Sequence, residues 1–147
     1  MDRGVAVLLT AFVGGLIALQ APINSMLGKA VGTWQAAAVS FAIGTIALVG
    51  IASLAGGGWG NLGEARHLSW YYLTGGLLGA AYVTTVLVTV RSLGAGGVTA
   101  ATISGQLSMS LVVDQLGILG VEKQSITVPR VVGVLLLAAG TYLVVRD

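Results

Sequence analysis

Five long apolar stretches take up most of this 147-residue chain, and few charged side chains separate them. A helix needs about 20 apolar residues to cross the hydrocarbon core of a bilayer. The stretches at about 4–26, 33–54, 69–91, 98–119 and 128–145 reach that length. The expected fold is therefore all-α: a single five-helix transmembrane domain over residues 1–147. Composition agrees, with 56% hydrophobic residues and only 8% charged ones, whereas a soluble domain carries about 25% charged residues. A surface this poor in charge has to face lipid.

Several function classes fall away at once. Seven basic and five acidic side chains form no basic stripe or tail, so nucleic-acid binding is not indicated. Without cysteine there are no disulfides or thiolate metal sites. The lone His67 falls in a loop and the serines have no base in any readable motif, so neither an enzyme nor a metal or other cofactor is expected. The apolar run Gly4–Leu19 is longer than a signal-peptide core of about 7–15 residues, and the first helix is expected in the mature protein.

Punctuation between the spans is clear. Lys29 closes the first connection, and Ala55–His67, with Gly56-Gly57-Gly58, Gly60 and Gly63, is the longest loop. Ser69-Trp70-Tyr71-Tyr72 opens the third helix with interfacial aromatics. Gly94, Gly96 and Gly97 predict a tight turn into the fourth, and Pro129 sits in the first turn of the fifth, where a missing N–H costs little. Gly75 with Gly79, Ser40 with Gly44, and Gly133 with Gly140 form small-residue faces. Such faces suit helix–helix contact, because in lipid helices associate by close backbone approach.

Charge distribution bears on assembly. With five crossings, the side of the N-terminus holds Arg3, Arg66, Lys123 and Arg130, and the other side holds Lys29, Arg91 and Arg146. Orientation normally follows a clear Lys/Arg excess in cytoplasmic loops; four against three is almost none. Insertion in either sense, with pairing to an inverted second copy, would give an antiparallel dimer of ten helices with the symmetry on which many transporters are built. A single topology set by weaker cues is the alternative.

Polar groups inside hydrocarbon are costly, so their positions point to function. Thr102, Gln106, Ser110 and Asp114 recur every four residues along the fourth span and share one face. A stripe of this kind lines a helix contact or a polar cavity, and its regularity favours the cavity. Asp114 lies ~9 Å from the midplane at the helical rise per residue. It is a candidate coupling-ion or substrate-cation site, or else pairs with Arg130 or Lys123. Gln20 and Asn24 share a face around Pro22, which kinks the helix or opens a site. Gln35, Tyr82 and Thr85 complete the substrate-binding candidates. In an inverted dimer, Gln20 of one protomer and Asp114 of its partner lie at similar depths. Each half-site would then join helix 1 of one chain to helix 4 of the other, with Gln106 and Tyr82 at the centre.

The strings Gln20-Ala-Pro-Ile-Asn-Ser-x-Leu-Gly-Lys29, Ser40-Phe-x-Ile-Gly-Thr45, Gly75-Gly-x-Leu-Gly-Ala-x-Tyr82-Val and Gly105-Gln-Leu-x-x-Ser-Leu-x-x-Asp114 resemble the YdcZ-like family, a five-helix branch of the drug/metabolite transporter superfamily. The resemblance covers nearly the whole chain. It implies a bacterial inner-membrane, multi-pass protein assembled antiparallel, as single, paired or fused genes of the family suggest, and it supplies no substrate. The smallest multidrug members of the superfamily carry a glutamate in their first helix; here that helix has no carboxylate after Asp2, and Gln20 cannot release a proton. The expected function is a small-solute transporter that works by alternating access through a polar cleft between inverted protomers. Its substrate would be a small polar metabolite or organic ion; Lys29 and Arg91 would equally receive an anion. A channel, or a non-transporting subunit of a larger complex, is the alternative.

Overall fold

Gly32 joins the first two helices. In the computed structural model, which describes residues 2–55 and 59–146, helix α1 covers Arg3–Val31 and helix α2 covers Thr33–Ala55. A single residue connects them because Gly32 takes φ +96°, and its N–H closes α1 on the Gly28 carbonyl at 3.0 Å. A side chain at Gly32 would be strained and would collide with the Gln35 amide. Helix α1 runs five residues past the expected end at Met26. Pro22 removes only the one bond that its missing N–H would make to the Ala18 carbonyl, and the ladder resumes beyond it.

Within the expected loop after α2, Gly60–His67 forms a 3-10 helix, and Gly56–Gly58 lie outside the described residues. A second 3-10 segment, Trp70–Thr74, precedes helix α3, Gly75–Leu116. The third span thus starts with a 3-10 turn: Tyr72 N–H bonds the Ser69 carbonyl at 3.0 Å, and the Tyr71 and Tyr72 rings stack at 4.5 Å. Helix α3 is broken at Gly94, whose φ of 67° and ψ of 173° are not helical. It is therefore two arms, 75–93 and 95–116. Gly96 and Gly97, expected in the turn, are helical, since one left-handed residue suffices to interrupt the ladder. The second arm stops at Leu116, short of the expected 119, because Gly117 caps it with φ 62° and an N–H bond to the Val113 carbonyl at 2.9 Å. Helix α4 is Val128–Val145, with its proline in the first turn.

Four helical stretches among the described residues are long and apolar enough to cross a membrane: Arg3–Val31, Thr33–Ala55, Trp70–Leu116 and Val128–Val145. The third, at 47 residues, is about twice what a bilayer requires, and Gly94 divides it. Large apolar side chains point outward along these helices, with Leu8 on α1 73% exposed and Ile46 on α2 72% exposed. An aqueous surface would not tolerate such a density of apolar groups.

The chain forms two compact units, one from Leu19 to Arg91 and the other from the stretches up to Ala18 and from Ser92 onward. One boundary between them falls at Ala18, four residues before Pro22, and the other lies close to Gly94. In the Leu19–Arg91 unit, α2 and the first arm of α3 run antiparallel around Ala36, Ala37, Val83 and Leu87, with Leu27 and Tyr82 packed against them. Gly28 lets α1 approach this core closely: a Cβ there would lie 3.5 Å from Leu87 and 3.7 Å from Ala36. In the other unit the second arm of α3 and α4 run antiparallel and are tied at Ser104, whose hydroxyl lies 2.6 Å from that of Thr141.

Candidate functional site

The periodic stripe on the second arm of α3 sets out a site. Gln106, Ser110 and Asp114 line one open hollow of about 560 Å³, and Met109, Val113 and Val121 supply its apolar walls. A step of four turns the side chain by only about 40° around the helix, which keeps these three on one face. Thr102, the first member of the stripe, is half-buried and does not line the hollow.

Each polar group of the hollow is held in a definite way. Ser110 Oγ donates to the Gln106 carbonyl at 2.7 Å, which leaves the hydroxyl oxygen as an acceptor. Asp114 Oδ2 accepts from Arg130 Nη1 at 3.3 Å, and the same guanidinium donates through Nη2 to Gln124 Oε1. The two side chains are 25% and 34% exposed, so the ion pair is partly buried. The return stretch after Leu116 completes the surround: Gln124 N–H bonds the Asp114 carbonyl at 2.8 Å, and Ile126 N–H bonds Gln115 Oε1 at 2.7 Å. Of the two partners weighed for Asp114 from the sequence, the structure selects Arg130.

Ser104 sits two residues before Gln106, hence on the opposite side of the same arm. Beside its contact with Thr141, it donates toward the Leu137 carbonyl at 3.4 Å, and Thr141 Oγ1 donates to the Ala100 carbonyl at 3.0 Å. Sequence reasoning missed this clasp. Its only sequence signal is a small hydroxyl beside a glycine in each helix, Ser104-Gly105 and Gly140-Thr141.

The remaining candidates lie in the Leu19–Arg91 unit. Gln20 and Thr85 are exposed and Asn24 is buried at 6% exposure. The Gln35 amide folds back over Gly32 at the start of α2, and Tyr82 packs against the Ala36–Leu87 core. Among the packing glycines, a Cβ at Gly79 would rest 3.5 Å from the Phe41 ring, whereas at Gly44, Gly75, Gly133 and Gly140 it would meet nothing within 4 Å. At the far end of α1, Arg91 Nη2 donates to Thr33 Oγ1 at 3.4 Å.

Membrane-length helices with outward apolar side chains define a multi-pass helical membrane protein. The family model described as "Putative inner membrane exporter, YdcZ" matches residues 5–143, and the chain belongs to that family. No curated protein and no solved structure matches it.

Proposed function

We propose that the chain is one half of a small-solute transporter of the drug/metabolite type, residing in a bacterial inner membrane. The observation that carries this reading is the hollow into which Gln106, Ser110 and Asp114 bring polar groups, on a membrane-length helix of a chain that belongs to a family described as putative exporters. Each arm of α3 crosses the bilayer: the second arm's 22 residues, 95–116, rise about 33 Å, enough for a hydrocarbon core of about 30 Å. Five crossings result, and the near-equal Lys/Arg count on the two sides supports insertion in both senses.

Two inverted copies then enclose a cleft that neither closes alone, and exchange of their conformations opens it to either side in turn. Gln106 and Ser110 receive the solute. Gln20, Gln35, Tyr82 and Thr85 contribute from the partner's helices, whereas Asn24 is buried within its own protomer. Because Asp114 is engaged by Arg130, we assign it to a fixed ion pair and not to proton carriage.

Topology tests the assembly, and flux tests the function. The chain has no cysteine, so Glu64→Cys in the exposed Gly60–His67 segment gives a single reporter. An impermeant maleimide on intact cells should label about half of the sites reached after permeabilisation, as equal insertion in two senses requires. Labelling all or none would remove the inverted homodimer. In liposomes a carrier shows saturation and counterflow, whereas linear flux means a channel and no flux a subunit.

A further inference from the structure

We infer that the hollow on the second arm of α3 takes an uncharged solute that carries N–H or O–H donors on an apolar body, and that it rejects organic ions of either sign. This rests on the transporter reading for its biological meaning but not for its chemistry. Among the described residues the only ionisable group lining the hollow is Asp114, and its charge is already answered by Arg130 at 3.3 Å. A cation would meet a carboxylate whose charge Arg130 already answers, and would leave the site with a net positive charge. An anion would have to displace Asp114 from Arg130 and would leave a net negative one. Asp114 lies in the last turn of its arm and the pair is partly buried, so an unpaired charge there is disfavoured.

The hydrogen-bonding groups narrow the class further. The Ser110 proton goes to the Gln106 carbonyl, so its oxygen offers lone pairs. Asp114 uses Oδ2 for Arg130, and among the described residues no hydrogen bond reaches Oδ1. The hollow therefore presents mainly acceptors, with the Gln106 amide able to do both. Met109, Val113 and Val121 match the apolar part of a solute.

Three probes of one size and shape separate the possibilities: benzamide, benzylammonium and benzoate, bound to the purified full-length chain in phosphatidylcholine nanodiscs, with empty nanodiscs subtracted. Benzamide should bind at least about tenfold more tightly than either ion, a difference well within the cost of one uncompensated charge. Asp114→Asn should swing the preference to benzoate, and Arg130→Gln should swing it to benzylammonium. Preference of the unaltered chain for an ion, or binding of none of the three, would overturn the inference without recourse to a variant; so would a preference that neither substitution moves. Counterflow of benzamide in liposomes keeps the two readings apart. Benzamide preference without counterflow would sink the transporter alone, whereas counterflow with an ion preference would sink the electroneutral site alone.

Discussion

The two compact units are fastened by different means. From Leu19 to Arg91 the helices are held by close packing: Ala36 and Leu87 are fully enclosed, and Ala21, Ala37, Val83 and Val86 are each 7% exposed. In the unit that contains α4 and the second arm of α3, α4 buries no residue, and hydrogen bonds take over through Ser104, Thr141, Asp114 and Arg130. Both are expected devices in lipid, where apolar burial gives helices little reason to associate. Close packing consumes the surfaces it joins. The hydroxyl clasp lies on one side of its helix and leaves the opposite side open, and that side carries Gln106 and Ser110. The unit with the looser core is the one that carries the hollow.

Truncation of a leucine in each unit should break this comparison if it is wrong, and it carries the largest expected effect. Leu87→Ala empties an enclosed position and should cost about 2 kcal/mol, at the lower end of soluble-core values because lipid solvates the exposed chain well. Leu107→Ala, at a side chain 37% exposed on the second arm, should stay within about 0.5 kcal/mol. Unfolding midpoints in mixed micelles at rising dodecyl sulfate would rank them. Equal losses would mean that both units depend on packing.

The clasp predicts a smaller and non-additive effect. Ser104→Ala and Thr141→Val should each destabilise by about 0.6 kcal/mol, the average for interhelical hydrogen bonds in a membrane. The double variant should lose less than the sum, since both remove one contact. Thr84→Val is the control: its hydroxyl bonds the Ala80 carbonyl of its own helix at 2.8 Å and fastens nothing across helices. Strict additivity in the same unfolding assay would show that Ser104 and Thr141 act separately.

What the sequence discloses follows the same division. A polar period of four along one helix is a local property, so the shared face of Gln106, Ser110 and Asp114 is legible without coordinates. The Ser104–Thr141 clasp joins positions 37 residues apart and depends on the register of two helices, which composition does not encode. The Asp114–Arg130 pair falls between these cases: antiparallel neighbours bring the end of one helix to the start of the next, but sequence position alone admits Lys123 as well. The glycines Gly94, Gly96 and Gly97 announced a break, yet only backbone dihedrals reveal which residue turns left-handed. At Pro22 the sequence leaves a kink and a site equally open, whereas the helix continues past it to Val31.

Glycines give the subtlest test. Gly28 belongs to the packed unit, where a Cβ would meet Arg91 Nη2 at 3.3 Å and Leu87 Cδ2 at 3.5 Å; at Gly133 on α4 a Cβ would meet nothing within 4 Å. Alanine in place of glycine favours a helix interior by at most about 1 kcal/mol. Gly133→Ala should keep that gain, whereas Gly28→Ala should lose most of it as the end of the Arg91 side chain gives way. Leucine at the two positions should separate them further: Gly28→Leu has Leu87 and Ala36 in its path and should destabilise, and Gly133→Leu should leave the single chain as stable as before. If an inverted partner covers the glycine face of α4, Gly133→Leu should nevertheless lower the cross-linked dimer yield. Loss of the dimer with an unchanged unfolding midpoint would place that face in the contact between copies, and an unchanged dimer would assign the glycine face to lipid.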